Sequence, residues 1–266
     1  MRDDLKRYDL FGWDYESINP PTDAEVDWHL SWARRTGGPV LGLACGTGRL
    51  LGRLAMAGFE TVGIDLSEAM LARAGENISA LPPDARGRMS LVKADMSRFD
   101  LGRRFGLVFI ADNSFRELRT RKALLACLRC ARNHLRDGGR LLITERRFNP
   151  SLYARGVRSF GWSQPKPHPQ SGEAVSRRGE LRLSKDRRRL TGKFIYRTAH
   201  ADGTQTLDEC PIIAPILTKP EYLDLFSRAG FVAQTFAGYR EAEDDGKDPM
   251  LCFVCAPATR TTREHE

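Results

Sequence analysis

Residues 40–48 read Val40-Leu41-Gly42-Leu43-Ala44-Cys45-Gly46-Thr47-Gly48, and Arg49-Leu50-Leu51-Gly52-Arg53-Leu54-Ala55 follows with helical spacing. An apolar run that ends in two glycines one residue apart and then turns helical reads as strand, tight turn, helix. Glycine admits unusual backbone angles and lets a ligand lie against the main chain. The helix presents its unpaired amides to the same crevice. At the carboxyl end of a parallel strand, this is where open α/β sheets bind nucleotides.

A glycine pair alone is weak evidence, and its weight comes from the chain that follows. Glu60-Thr61-Val62-Gly63-Ile64-Asp65 is a second apolar run, ending in a carboxylate 17 residues past Gly48. A carboxylate at the tip of a second strand is placed to accept from both ribose hydroxyls of a nucleoside. Ser90-Leu91-Val92-Lys93-Ala94-Asp95-Met96 again reaches an aspartate, and residues 105–111 lead into Asp112-Asn113-Ser114. Three successive strands thus carry a polar group at the carboxyl tip.

In this order and spacing the motifs resemble those of class I S-adenosylmethionine-dependent methyltransferases, specifically the small-molecule branch with the glycine and amino-sugar N-methyltransferases. The resemblance runs over residues 8–257. It implies a Rossmann-like α/β fold, S-adenosylmethionine as cofactor, and methyl transfer to a nitrogen or oxygen of a small acceptor. Cofactor contacts carried over are Tyr15 from an aromatic N-terminal arm (Tyr8 as second choice), Ala44, Cys45, Gly46 and Gly48. Asp65 with Leu66, Met70 against the adenine ring, Ala94, Asp95 facing the adenine amino group, Met96 and Ala111 complete that set. The tip at Asn113 and Phe115 would face the transferred methyl, so both join the substrate side, and Glu117, Asn113 and Tyr15 are the catalytic candidates. Glu117 is chosen as a base by position alone; an acidic residue opening a helix explains it equally well. The chain departs from the family at three places. Position 42, usually acidic and a support for the methionine amino group, is Gly; position 44, often Gly, is Ala; position 117, often His, is Glu.

The fold expected is a doubly wound, seven-stranded, mostly parallel sheet with an antiparallel β insertion after strand five. By this reading residues 1–36 form an arm and helix over the cofactor, 37–150 the cofactor-binding core, 151–217 the insert capping the substrate, 218–257 the end of the core, and 258–266 a frayed tail. Thr22-x-x-Glu25 and Thr218-x-x-Glu221 both read as capping boxes. Trp28 and Trp32 share a helical face and should be core, leaving His29 for solvent. Residues 119–135 read as a helix closed by Gly138-Gly139, with strand five at 140–145.

The 266 residues suffice for one large α/β unit without disulfides. Residues 1–12 do not read as a leader and no apolar run nears a membrane span's ~18 residues, so a cytoplasmic protein is expected; a monomer or homodimer is the expected state. Two C-x-x-C pairs, Cys127/Cys130 and Cys252/Cys255, fall in a helix and a strand rather than on the turns zinc sites favour, so no metal is expected. The net charge of +8 is uneven: residues 1–36 carry five Lys/Arg against eight Asp/Glu, and residues 151–200 carry twelve against three. On the strand 188–198, Arg189, Lys193 and Arg197 share one face. The guanidinium groups of the two arginines suit a carboxylate or phosphate, which makes Arg189 and Arg197 substrate-binding candidates and an acidic acceptor the expectation. Solvation of a sheet edge explains the same charges.

Three other readings stay open. A dinucleotide-dependent dehydrogenase wants a third glycine at position 51, which is Leu. A nucleic-acid (RNA) methyltransferase fits the basic segment but lacks the Asp/Asn-Pro-Pro-Tyr/Phe tetrad of base methylation. A catalytically silent relative used as a binding subunit fits Gly42.

Overall fold

A computed structural model describes residues 8, 12–14, 20–153, 155–168 and 171–258. Helix α1 (Asp23–Thr36) precedes strand β1 (Val40–Leu43), helix α2 (Arg49–Met56), strand β2 (Thr61–Asp65), helix α3 (Glu68–Ser79), the single turn α4 (Pro83–Arg86) and strand β3 (Met89–Lys93). Then come β4 (Phe105–Ile110), α5 (Arg121–Asn133) and β5 (Leu135–Arg146). The insert holds β6 (Val157–Phe160), β7 (Lys166–Pro167), β8 (Ala174–Leu183), β9 (Arg189–Ala199) and β10 (Gln205–Pro215). Helix α6 (Lys219–Arg228), β11 (Phe231–Ala237) and β12 (Met250–Pro257) finish the fold.

The main sheet has seven strands in the order β11-β12-β5-β4-β1-β2-β3. Strands β1 to β5 are mutually parallel, and β12 and β11 join antiparallel. Central β1 and β4 are buried along their whole length, as parallel strands covered by helices on both faces must be. Two apolar clusters cover the faces: α5 and α6 pack on one with Phe105, Leu128 and Phe226, and α1 and α2 on the other with Trp28, Leu51 and Phe109. The insert is a separate antiparallel sheet, β10-β9-β8-β6, with β7 beside β8. Its inner face, with Val175, Tyr196 and Cys210, takes Trp13 from the short turn Gly12–Asp14. Gly12 itself presses on Met70 at the start of α3.

Several local expectations change. The Gly138-Gly139 pair does not close α5. It sits inside β5, in a bulge where the register to β4 moves from Leu135 opposite Phe105 to Arg140 opposite Leu107. Thr218 and Glu221 form the expected box, Glu221 accepting from both the amide and the hydroxyl of Thr218 at 2.8 Å. At α1 only half a box forms. Thr22 Oγ1 accepts from the Glu25 amide at 3.2 Å, but the Glu25 carboxylate has gone to Arg49. Trp28 is core and meets Trp32 edge-on at 6.0 Å. His29, expected in solvent, is fully buried against the Phe109 ring. Residues 25, 29 and 33 form a second stripe beside the tryptophans, so the buried face is wider than the tryptophan pair marks. Cys252 and Cys255 belong to opposite core clusters, so their thiols point away from one another. Burial pushes the thiols of Cys127, Cys252 and Cys255 well up.

Burial also lowers the pKa of His29 and outweighs its hydrogen bond to the Glu25 carbonyl; nearby Arg49 lowers it further. The sign of the pH effect follows. Below about pH 6.5, the ordinary histidine value, the unfolded chain binds a proton here that the folded chain refuses, so stability falls as pH drops. Urea unfolding followed from about pH 7.5 to pH 5.5 should show a declining free energy, with His29 supplying up to about 1.4 kcal/mol per pH unit. The variant His29→Leu should flatten that decline, and an unaltered slope would show that the folded protein accepts the proton.

Candidate active site

One pocket opens at the carboxyl ends of the parallel strands, where the turn after β1 meets the tips of β2, β3 and β4. It encloses about 1040 Å³ with its open mouth included, at the upper end of small-molecule sites. The turn is made possible by Gly46 (φ +56°) and Gly48 (φ +76°), both in the left-handed region. Ala44, Asp112 and Asn113 share that region at φ +51°, +51° and +66°. Non-glycine residues held there mark sites where surrounding contacts override local preference.

Asp65 fixes the geometry of the turn. Its Oδ2 accepts from the Gly46 amide at 2.8 Å and its Oδ1 from the Ser67 amide at 2.9 Å. Ser67 then caps α3 by accepting from the Met70 amide at 3.1 Å. On β3's side, Asp95 Oδ1 accepts from the amide and hydroxyl of Ser97 at 2.8 and 2.7 Å. Cys45 lines the floor, and burial, with the Asp65 charge adding to it, pushes its thiol well up, so it stays protonated.

At the other side of β1 the tip of β4 is strapped to β5. The Asp112 amide donates to Thr144 Oγ1 at 3.2 Å, and the Asn113 amide donates to the Thr144 carbonyl, also at 3.2 Å. Asn113 Oδ1 accepts from the Arg146 amide at 2.7 Å and also from Arg116. Arg116 in turn donates through Nε to Glu145 at 2.6 Å. Glu145 is wholly buried; burial pushes its carboxyl up and Arg116 pulls it back. Beyond this strap the Tyr8 hydroxyl donates to Glu117 Oε1 at 3.3 Å, and both residues line the pocket.

Of the residues singled out from sequence, Ala44, Cys45, Gly46, Asp65 and Leu66 line this pocket. So do Met70, Ala94, Asp95, Met96, Ala111 and Glu117. Gly48 stands just behind as the N-cap of α2. Tyr15 lies outside the described residues, whereas Tyr8, the second choice for the arm, is in the wall. Asn113 is taken up by the strap and is absent from the described wall. Phe115 is not on the substrate side: it is buried in the core, 6.3 Å from the Tyr222 ring and 6.5 Å from Phe226. Arg189 and Arg197 are not in the wall either. Arg197 sits 4.4 Å over the Trp162 ring and donates to Ser176, and Arg189 is exposed. Both lie on the insert face opposite Tyr196 and Cys210.

The sequence reading passed over Arg49, Asp112 and Ser114 in the wall. Arg49 carried a usable signal. A cation at the first position of a helix opposes the dipole, and so calls for a specific partner. Its partner is Glu25, bonded end-on through both Nη groups at 2.7 and 2.9 Å.

Comparison with known proteins agrees with this geometry. Residues 40–139 match the methyltransferase domain family. The chain is 32% identical over 138 residues to the dTDP-3-amino-3,4,6-trideoxy-alpha-D-glucopyranose N,N-dimethyltransferase of Streptomyces venezuelae, and the match spans 52% of each chain. The chain thus spans about half the length of this curated relative. Among solved structures, CcbJ methyltransferase of Streptomyces caelestis superposes with a TM-score of 0.71 at 22% identity, over 91% of this chain and 92% of that one. The sugar N-methyltransferase KedS8 of a Streptoalloteichus species gives 0.70 at 24%, over 95% and 93%. These likenesses concern the fold, a Rossmann-like sheet of seven strands. The family match covers the glycine turn and the tips of the first four strands, the stretch in which the chain is similar to S-adenosylmethionine-dependent methyltransferases.

Proposed function

We propose that the chain transfers the methyl group of S-adenosylmethionine to an amine nitrogen of a small molecule. The observation that carries this reading is the charge pattern along one pocket. Asp65 and Asp95 stand at the tips of β2 and β3; Asp112, Glu117 and Arg49 stand towards β4, on the other side of β1. That set fits a nucleoside with an amino-acid tail. Asp65 stands where a strand-tip carboxylate can accept from the ribose hydroxyls, and Asp95 faces the adenine amino group. Leu66, Met70 and Met96 supply apolar contact for the base, while Ala44, Cys45, Gly46, Gly48, Ala94 and Ala111 allow close approach.

When bound, S-adenosylmethionine supplies a methyl carbon made electrophilic by its sulfonium. The protein's part is to place the acceptor nitrogen in line with that carbon, and such positioning is worth ~7–11 kcal/mol. An amine arrives protonated and must lose a proton before its lone pair can attack. Glu117 takes that proton, and the Tyr8 hydroxyl holds the carboxylate in place. Asn113, with Arg116 and Glu145, fixes the tip from which Glu117 follows. The curated relative is named for an amino sugar, so nucleotide-linked amino sugars are the first acceptors to try. Arg49 is the only cation in the described wall and is paired, so the pocket favours a cationic acceptor over an acidic one. Six free thiols suit a reducing, cytoplasmic setting. No helix among the described residues is long and apolar enough to cross a membrane.

Two outcomes test the reading. S-adenosylhomocysteine should raise the melting temperature, as any ligand of the native state does. Asp65→Ala should lose about 1.5–3 kcal/mol of that ligand's binding energy, the range for hydrogen bonds to a charged group. A melting curve moved by NADH and not by S-adenosylhomocysteine would overturn the cofactor assignment.

With labelled S-adenosylmethionine and an amine acceptor, Glu117→Gln should cut kcat by about 100-fold or more, as loss of a general base does. Tyr8→Phe should have a smaller effect in the same direction. Wild-type kcat in Glu117→Gln at neutral pH would remove Glu117 from the chemistry.

A further inference from the structure

The connection from β11 to β12, residues 238–249, lies at the same edge of the sheet as the pocket, because Met250 at the start of β12 stands opposite Arg146 at the carboxyl end of β5. It is fastened at several points. The Asp244 side chain, 1% exposed, accepts from Arg147 just past β5, from Lys219 at the start of α6 at 3.0 Å, and from the Gly246 amide at 3.2 Å. Gly238 turns left-handed at φ +59°, with its amide donating to the Met250 carbonyl at 3.1 Å. Arg240 donates to Asp248 at 2.7 Å.

The residue these fastenings place is Tyr239. Its ring packs on the apolar cluster that contains Trp28 and Cys252, and its hydroxyl is hydrogen-bonded to that of Thr144. Burial pushes the phenol's pKa up, and the nearby Glu25 charge adds to it, so the hydroxyl stays protonated. Phenylalanine would fill the cluster equally well, so packing leaves the hydroxyl unexplained.

Thr144 is buried and carries the tip of β4 on two bonds, one to Oγ1 from the Asp112 amide and one to its carbonyl from the Asn113 amide. Asp112 and Asn113 are both left-handed, a conformation that non-glycine residues keep only where their surroundings hold them. The strand fixes the carbonyl. The direction of Oγ1 depends on which staggered rotamer Thr144 adopts. A hydroxyl can accept from an amide and share a second bond at once, so the contact with Tyr239 selects the rotamer that aims Oγ1 at Asp112. Thr144 and Glu145 point to opposite faces of β5, so Tyr239 steadies the tip from one face and Arg116 with Glu145 from the other.

We propose that Tyr239 is a positioning residue for methyl transfer, acting through Thr144 to fix the tip of β4 from which Ser114 and Glu117 enter the pocket wall. This rests on the pocket being the site of that reaction. Tyr239 is outside the described wall and acts through Thr144 alone.

Tyr239→Phe removes the hydroxyl and keeps the ring. With S-adenosylmethionine and an amine acceptor, its kcat should fall about 3- to 10-fold, the worth of one hydrogen bond. S-adenosylhomocysteine affinity by calorimetry should stay within about twofold of wild type, since the tips of β2 and β3 are untouched. Thr144→Val should cost kcat at least as much, and Thr144→Ser, which keeps the hydroxyl, should remain close to wild type. Adding Tyr239→Phe to Thr144→Val should cost nothing further. Hydrogen exchange reads the tip directly. The Asp112 amide should exchange faster in Tyr239→Phe, while the amides of residues 141–143 in β5 keep their wild-type rates. A lower melting temperature with kcat and exchange at Asp112 unchanged would reduce Tyr239 to packing and overturn the proposal, as would losses that multiply in the double variant. If the wild-type protein moves no methyl group from S-adenosylmethionine to an amine, the functional reading falls, and exchange at Asp112 still decides whether Tyr239 governs the tip.

Discussion

The carboxylate of Asp65 is the constraint on which the site depends. Its two oxygens take the amide of Gly46 from one strand's turn and the amide of Ser67 from the next. A buried amide without a partner costs about 1–3 kcal/mol, so these bonds hold the two turns in one arrangement. The left-handed angles at Ala44, Gly46 and Gly48 are tolerable only in that arrangement. From it follow the direction of α2, the position of Arg49 at its first turn, and the capped start of α3 with Met70 in the wall. Sheet order does the rest, placing the tips of β3 and β4 on either side of this turn.

Most of the fold was legible in the chain because its signals are local. Apolar runs that end at Gly46, Asp65 and Asp112 mark strands buried on both faces, the run to Asp95 marks the half-exposed edge strand β3, and the alternation over 174–215 marks an antiparallel insert. Thr22-x-x-Glu25 and Thr218-x-x-Glu221 show where local reading stops. The two patterns are the same, and both open helices. Only Thr218 keeps its glutamate, because no other cation competes strongly enough for Glu221; Arg188 reaches it from solvent at 2.5 Å without breaking the cap. Glu25 is drawn into the buried fork of Arg49, a long-range contact that no spacing rule contains. A local rule broken beside a pocket is itself a pointer to function.

The misreadings at the tip of β4 share one cause. Asp112 and Asn113 both turn left-handed, so the period that predicts which way β4's following side chains face is lost there. Phe115 consequently points into the core with Tyr222 and Phe226, and Asn113 points at Arg116 and the Arg146 amide. His29 was lost for a different reason: the face of α1 against β4 is wide enough to bury residues 25, 28, 29 and 33 together. On the insert, period two put Arg189 and Arg197 on one face correctly. Which face meets the pocket depends on how the sheet packs, and Tyr196, Cys210 and Trp13 decide that.

Two buried ion pairs bracket the tip of β4, Arg49–Glu25 from the α1 side and Arg116–Glu145 from the β5 side. Each withdraws two charges from water for little net stability, and apolar residues of similar size would serve the core at least as well. What such pairs provide is direction. A guanidinium forked onto a carboxylate has a fixed plane, so its other N–H groups are aimed before any ligand arrives. Arg116 holds Glu145 through Nε alone and donates from Nη2 to Asn113, which helps set the backbone of the tip, whereas the bidentate Arg49 stands in the wall beside Asp112. Methyl transfer asks little of the protein in covalent chemistry and much in placement, and placement is lost when the supporting groups are free to move. The buried charges thus lie where rigid aim matters more than stability, while both C-x-x-C pairs and the tryptophan stripe remain in regular elements as ordinary packing.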